Sequence, residues 1–285
     1  MDLTRRQLLT SMFGVGLLLR HNHLLADNVV TELKPRAIPG DVADLEITFS
    51  AIDLASDRHT AFDLVHINDR HSPWSTFKIP NLIIALETGV AIGLDHRRRW
   101  DPRRYPQRPH WPKDWSQDQS LKTAFKRSVP WYFQEIARDV GTDRYRRYLT
   151  SFDYGNSDVQ DNKDDFWLGG SLRISVFEHM TFIKRLIGGA FAIKPDKWNA
   201  LRKVCLIGSA SEHRLYGKTG AGPLRPHEIA APFEGWLVGW IERSKTPSAA
   251  FALHVIGPDY RSIRAARLMI AVRLLKASNL LPAAY

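Results

Sequence analysis

Cysteine is almost absent from this sequence, which has only Cys205. A single cysteine excludes an intrachain disulfide and any metal site built from paired thiols. Long apolar runs are missing too: beyond the first twenty residues, no stretch approaches the ~18 uninterrupted apolar residues of a membrane span. Repeats at solenoid periods are also absent. These absences exclude a disulfide scaffold, a cysteine-based metal protein, a multi-span membrane protein and a repeat protein.

The overall composition is that of a globular protein. The chain has 285 residues, of which 44% are hydrophobic and 25% charged, enough to bury one large core or two fused lobes. Its net charge of +10 favours anionic partners. Part of that excess lies in one cluster: Arg97, Arg98, Arg99, Arg103, Arg104 and Arg108. Prolines and tryptophans interrupt this arginine cluster, and no nucleic-acid-binding fold surrounds it, so we predict a solvated loop and no nucleic-acid partner.

The N-terminus has the pattern of an export signal. Arg5 and Arg6 precede a short apolar run, 12–19, as in twin-arginine signals. We predict a signal over residues 1–26 and a mature chain, 27–285, that is periplasmic or secreted and keeps no membrane span. An uncleaved N-terminal anchor or a misassigned start site remains the alternative.

Hydrophobic periodicity predicts the order of the elements. Alternation predicts strands first, and helical spacing then predicts helices with Pro130 inside the second. The predicted early strands are 45–49 and 60–67, the helices 75–94, 121–140, 176–187 and 195–207, the late strands 233–242 and 249–256, and the closing helix 263–275. This order predicts an α+β fold, an α/β sandwich. Its central antiparallel sheet comes from both chain ends and is flanked by helices, with a helical lobe inserted over roughly 80–205.

The strongest chemical signal is the tetrapeptide S-T-F-K at 75–78. At the start of a helix, positions i and i+3 share a face, so the Ser75 hydroxyl and the Lys78 amine can meet. Serine needs an adjacent base to become a nucleophile, and lysine becomes such a base only when burial lowers its pKa. Backbone N–H groups at the helix start can also stabilise an oxyanion.

A second motif, K-T-G at 218–220, precedes the late strands. S-x-x-K followed by K-T-G is the motif pair of penicillin-binding proteins and serine β-lactamases. With S-V-P at 128–130, Y-G-N at 154–156 and F-W-L at 166–168, the sequence resembles class D (oxacillinase-type) β-lactamases from about Phe49 to the C-terminus.

The resemblance implies catalytic roles for four residues. Ser75 would form an acyl-enzyme with a β-lactam, and Lys78 would carry an N-carboxylate made from carbon dioxide or bicarbonate, the one modifier expected. Trp167 would donate its indole N–H to that carbamate, and Ser128 would relay a proton to the leaving nitrogen. No metal and no organic cofactor are expected.

The resemblance also implies how a β-lactam substrate would be bound. Its carboxylate would contact Lys218 and Thr219, and the amides of Ser75 and Ala221 would form the oxyanion hole. Gly220 and Tyr154 complete the expected substrate site. An arginine late in the chain would pair with the carboxylate, and spacing favours Arg261 over its rival Arg264.

The sequence departs from the family pattern at four positions. Pro130 replaces the usual valine, Gly169 an acidic residue and Gly217 a serine, and the bulky Trp74 precedes the nucleophile. These departures bear on carbamate stability and turnover more than on acylation.

The histidines predict no metal centre. His21/His23 and His66/His71 lack cysteine or carboxylate support in the sequence, and no H-E-x-x-H motif is present.

The alternatives to a β-lactamase are a β-lactam sensor that acylates without deacylating, and a D,D-peptidase of the same superfamily. The oligomeric state stays open.

Overall fold

The computed structural model describes residues 30–38, 40–42, 44–109, 111–160, 163–225, 228 and 232–285. The predicted export signal, 1–26, lies outside these residues. Within the described ranges, none of the helices combines the length and apolarity that a membrane crossing requires.

A seven-stranded sheet forms the centre of the molecule, with the strand order β1-β3-β2-β9-β8-β7-β6. The strands are β1 Val30–Glu32, β2 Glu46–Asp53, β3 His59–Phe62, β6 Leu206–Ala210, β7 His213–Pro223, β8 Phe233–Arg243 and β9 Thr246–Gly257. β2 pairs with β9, so the sheet joins the two ends of the chain as predicted. One detail is wrong in the prediction: β1 runs parallel to β3, so the sheet is not wholly antiparallel.

Helices cover both faces of the sheet. Along β8, Trp236, Val238 and Trp240 pack into the core shared with the helical lobe. Leu237 and Ile241 point to the opposite face, where they join the core formed with α7 (Tyr260–Ala277). Because both faces are covered, β8 reads as a continuous apolar run rather than an alternating one.

The helical lobe lies between β3 and β6. It contains α1 Lys78–Glu87, α2 Leu121–Arg127, α3 Pro130–Val140, α4 Thr142–Phe152, α5 Val176–Ile187 and α6 Pro195–Cys205. A short pair of strands, β4 Arg97–Arg98 and β5 Gln119–Ser120, closes the tryptophan-rich excursion. The lobe confirms the predicted insertion.

Two predicted helices differ from the structure. The helix predicted over 75–94 begins as a 3₁₀ turn, Trp74–Phe77, and its α-helical part ends at Glu87. The helix predicted over 121–140 is two helices, because Ser128 adopts the left-handed conformation with φ 62°. Pro130 is then the first residue of α3, where its missing N–H has no intrahelical acceptor to lose.

One helix, α4, and the strands β1, β4, β5, β6 and β7 were not predicted. The charged sequence of α4 buries only Tyr145, Leu149 and Phe152, which hides its periodicity. β6 pairs with β7 only up to Tyr216. The edge of β7 beyond Tyr216 is therefore open to the 3₁₀ turn, and this is where the candidate site forms.

Candidate active site

Ser75 and Lys78 meet at the junction of the 3₁₀ turn and α1. The Lys78 Nζ donates a hydrogen bond of 2.8 Å to the Ser75 Oγ. Lys78 is fully buried, whereas Ser75 is half-buried and so reachable from solvent. The structure thus brings together the two residues on which the sequence prediction depends.

Burial decides the ionisation of Lys78. It holds the pKa of the Lys78 amine well below its usual value of 10.5, and the positive charge of Lys218 lowers it further. The Lys78 Nζ lies 5.2 Å from the centre of the Phe133 ring, and among the described residues no carboxylate lowers the cost of charging it. The amine is therefore predisposed to be neutral, the form that can accept a proton from a serine hydroxyl.

A second serine–lysine pair lies across the cleft. The Lys218 Nζ, on β7, donates a hydrogen bond of 3.0 Å to the Ser128 Oγ. Burial lowers the pKa of Lys218 to about 7, and Arg267 contributes to the decrease. The left-handed turn at Ser128 ends α2 and gives this serine its place in the cleft.

The backbone of β7 packs against the turn that carries the nucleophile. A Cβ on Gly220 would lie 2.8 Å from the Pro73 carbonyl oxygen and 3.2 Å from the Ser75 nitrogen. Glycine at this position allows the close approach of β7 to the Ser75 amide. On the same strand, Thr219 is exposed and Ala221 half-buried. The presence of glycine at 217, where the family pattern has serine, has a different explanation. A Cβ there would lie 2.6 Å from the Val238 carbonyl oxygen of β8.

Trp167 is buried behind the nucleophile and stacks on Phe77 at 5.1 Å between ring centroids. Its backbone carbonyl accepts hydrogen bonds from the Trp74 amide, at 3.1 Å, and the Ser72 hydroxyl, at 2.9 Å. Its indole Nε1, in contrast, is a buried donor that has no acceptor within the described part of the chain. Gly169 has φ +82° and donates its N–H to the same Ser72 hydroxyl. This left-handed conformation favours glycine and explains why glycine stands here in place of the acidic residue of the family pattern.

Tyr154 does not fit its predicted role in substrate binding. Its side chain has no solvent exposure and packs against Phe77 and Phe182. Its hydroxyl lies 3.3 Å from the His179 Nε2. Tyr154 therefore supports the turn that holds Ser75 from within the core and does not line the cleft.

A late arginine that was not expected, Arg267, contacts β7 beside the site. Arg261 and Arg264 lie on the exposed side of α7. Arg267 is buried, donates from Nη1 to the Gly220 carbonyl oxygen at 2.5 Å, and has no acceptor for its Nε among the described residues. Helical spacing could have predicted the burial of Arg267, because this residue lies on the apolar face of α7 with Ile263 and Ile270.

A histidine–carboxylate network beside the nucleophile was also missed. The Glu234 Oε2 lies 3.1 Å from the His71 Nδ1 and 3.2 Å from the His254 Nε2. Its other oxygen, Oε1, accepts a hydrogen bond of 2.6 Å from the Trp74 indole. The expectation that His71 lacks carboxylate support is therefore wrong. No local pattern predicts this network, because its residues come from a loop and two different strands.

The arginine cluster is partly neutralised by acids of α3. Arg98 pairs with Asp139 at 2.5 Å, and Arg104 with Glu135 at 3.5 Å. Ion pairs within the protein therefore neutralise part of the positive charge of the arginine cluster, and a bound polyanion is not needed to do so.

The arrangement as a whole can perform acyl transfer. A serine hydroxyl contacts a buried amine, a second serine contacts a second amine, and the backbone of β7 lies against the first serine. Nucleophile, base, proton relay and backbone donors are the components that such chemistry requires.

Comparison with known proteins agrees with this geometry. The family model of the penicillin-binding protein transpeptidase domain matches residues 51–276. The chain belongs to this family. Among its relatives, β-lactamase OXA-3 of Pseudomonas aeruginosa is 30% identical over 81% of this chain and 80% of its own length. The solved class D β-lactamase FUS-1 (OXA-85) of Fusobacterium nucleatum is 28% identical, with a TM-score of 0.74, covering 83% of this chain and 94% of that one. The resemblance to class D β-lactamases and the predicted fold class are confirmed.

The transpeptidase family also contains a receptor similar to this chain. The C-terminal domain of the BlaR penicillin receptor of Bacillus licheniformis is 27% identical, with a TM-score of 0.79, and covers 90% of this chain and 100% of that domain. Regulatory protein BlaR1 of the same organism is 31% identical over 79% of this chain, which spans 35% of the length of BlaR1. The similarity therefore includes both hydrolases and a receptor.

Proposed function

We propose that this protein hydrolyses β-lactams through an acyl-enzyme on Ser75. The observation that carries the proposal is the 2.8 Å contact between the Ser75 Oγ and the fully buried Lys78 Nζ. The 30% identity to OXA-3 supports the same reaction.

Acylation follows from the ionisation of Lys78. Its neutral amine takes the proton of the Ser75 hydroxyl as the oxygen attacks the lactam carbonyl carbon. The developing oxyanion would be stabilised by the amides of Ser75 and Ala221, and the close packing of Gly220 against the Ser75 nitrogen supports this role. The lactam C–N bond then breaks, and the acyl group stays on Ser75.

Ser128 and Lys218 would serve the leaving nitrogen. The Lys218 Nζ is within hydrogen-bonding distance of the Ser128 Oγ, so a proton can pass from the amine through the hydroxyl to the nitrogen. A pKa of about 7 lets Lys218 give up and regain this proton near neutral pH.

Arg267, Lys218 and Thr219 would bind the substrate carboxylate. Arg267 lies below β7 at Gly220, and its Nε has no acceptor in the described part of the chain. A guanidinium and an ammonium from opposite sides of one strand provide two cations for one carboxylate.

The residues present fit a carboxylated Lys78. The buried, unpartnered indole N–H of Trp167 is a donor that a carbamate oxygen would satisfy. When present, a carbamate on Nζ supplies an anionic base in place of the amine. Lys78 would hold it, Trp167 would donate to it, and the aromatic rings around both would exclude bulk water.

Turnover of the chromogenic cephalosporin nitrocefin tests the proposal. We expect sustained hydrolysis by the wild type, no burst or turnover with Ser75→Ala, and a loss of several orders of magnitude in deacylation with Lys78→Ala. Added bicarbonate should restore activity lost at acidic pH in the wild type. Steady hydrolysis by Ser75→Ala would overturn the assignment, and no response to bicarbonate would count against a carboxylated Lys78.

The similarity to the BlaR receptor domain favours a second candidate, a β-lactam sensor that is acylated but barely deacylated. One equivalent of burst with no steady rate would identify it. Release of D-alanine from a D-Ala-D-Ala peptide would instead support a D,D-peptidase.

A further inference from the structure

Three side chains that ligate metals converge beside the nucleophile-bearing turn. The His71 Nδ1, the Glu234 Oε2 and the His254 Nε2 all lie within 4.8 Å of one another. Glu234 on β8 and His254 on β9 occupy diagonal positions of paired strands, since His254 is opposite Trp236. His71 reaches them from the loop that precedes Ser75.

We propose that His71, Glu234 and His254 form a binding site for a divalent transition metal, with Zn²⁺ the ion that suits them best. Two imidazoles and one carboxylate are a ligand set that zinc uses with solvent as the fourth ligand. This site is separate from the serine–lysine chemistry and does not depend on the proposed β-lactam reaction.

The distances suit such an ion. Ligands at 2.0–2.2 Å from tetrahedral zinc lie about 3.3–3.6 Å from one another. Glu234 Oε2 is 3.1 Å from the His71 nitrogen and 3.2 Å from the His254 nitrogen, so two edges of a tetrahedron are already close to their required length. Around an ion, the Glu234 oxygen needs to move only slightly away from each nitrogen, and the two imidazole nitrogens lie within 4.8 Å of each other. Neutral imidazoles can turn their lone pairs toward the ion by changing tautomer.

The surroundings hold the carboxylate in place and leave one entry. The Trp74 indole donates to Glu234 Oε1, which leaves Oε2 directed at the two imidazoles. Such hydrogen bonds to the non-ligating oxygen orient metal-binding carboxylates. Glu234 and His254 are buried, whereas 21% of the His71 side chain is exposed, so an ion would enter on the His71 side.

The test is Zn²⁺ binding to the untagged full chain, measured by calorimetry and by metal analysis after equilibrium dialysis. We expect a Zn²⁺ site in the wild type that His71→Ala weakens more than tenfold and that Glu234→Gln and His254→Ala weaken likewise. Co²⁺ substituted at this site should give the visible absorption of a tetrahedral centre with nitrogen and oxygen ligands.

His66→Ala is the matched control. His66 also contacts a carboxylate, Asp63, at 2.8 Å, but the pair is exposed and lies outside the cluster. Zn²⁺ affinity should not change in this variant. His71→Ala changes the most exposed ligand, so it keeps the test decisive if the buried variants fail to fold. Absence of Zn²⁺ binding by the wild type, or equal affinity in His71→Ala and the wild type, would overturn the proposal.

Discussion

At the scale of single residues, the clearest cost in this structure is the burial of Lys78. Its amine is removed from solvent, and within the part of the chain that the structure describes no carboxylate lowers its desolvation penalty. Such a group is retained for chemistry at the expense of stability. At Lys78, the side chain that suits the proposed chemistry is therefore not the one that would make the fold most stable.

Replacing Lys78 with methionine should stabilise the protein. Met fills a similar volume without a group that prefers water, so we expect Lys78→Met to raise the free energy of unfolding by about 1–3 kcal/mol at pH 7. Thermal and denaturant unfolding in bicarbonate-free buffer measure the change.

The pH dependence of this difference has a definite sign. Between the lowered pKa of folded Lys78 and its usual value of 10.5, the unfolded chain binds a proton that the folded chain does not. The free energy of unfolding of the wild type therefore rises with pH through that window, as the penalty for burying Lys78 becomes smaller. The advantage of Lys78→Met should shrink as the pH approaches 10.5, and a constant difference would contradict this origin.

Arg267 is expected to control affinity for the substrate carboxylate. Arg267→Ala removes the guanidinium below Gly220, and because hydrogen bonds to charged groups contribute roughly 1.5–3 kcal/mol, KM should rise about tenfold or more. Steady-state kinetics with a penicillin measure this effect.

Arg261→Ala and Arg264→Ala are the controls for Arg267→Ala. Both side chains lie on the exposed side of the same helix. Neither should change KM by more than about twofold, and an equal effect of all three substitutions would show that net charge alone is responsible.

At the scale of elements, the site depends on how closely β7 approaches the 3₁₀ turn. Gly220→Ala would place a Cβ 2.8 Å from the Pro73 carbonyl oxygen and 3.1 Å from the Thr76 nitrogen, both rigid backbone atoms. The strand must then move away from Ser75. We expect kcat/KM to fall at least tenfold, because small displacements of reacting groups are costly.

Gly93→Ala is the control for Gly220→Ala, since a Cβ at Gly93 has no atom within 4 Å. Nitrocefin kinetics and melting temperatures of both variants separate an effect on the site from a loss of folding. Unchanged kcat/KM in Gly220→Ala would mean that the approach of β7 is not required.

Elements with strong periodicity could be predicted, and those set by tertiary contacts could not. α5 follows from its apolar spacing and β8 from its continuous apolar run, and both confirm the predictions, for 176–187 and 233–242. α4 was missed because its exposed face is rich in arginine. The break at Ser128 had one local signal, Pro130 two residues later, but the left-handed φ of 62° that ends α2 at Ser128 was not predicted.

The same distinction applies within the site. Ser75 and Lys78 are three residues apart, so helical geometry places them together without knowledge of the fold. Glu234 and His254 require the pairing of β8 with β9, and His71 requires the path of a loop. Contacts between residues distant in sequence were therefore the ones that the sequence left unpredicted.

At the scale of the whole molecule, the two chain ends build one sheet and the helical lobe closes over it. Lys218 comes from the sheet, whereas Ser128 comes from the lobe, so the cleft exists only when both are assembled. The Trp236 indole donates to the Ser72 carbonyl oxygen at 2.9 Å and fixes the nucleophile-bearing loop to the sheet. Activity should therefore be lost together with global folding rather than before it.

The most direct measurement is mass spectrometry of the intact protein after brief incubation with benzylpenicillin and an acid quench, followed by peptide mapping. We expect one covalent penicillin per chain, located on Ser75, and no covalent penicillin on Ser75→Ala. An adduct on any other residue, or one that persists in Ser75→Ala, would contradict this prediction.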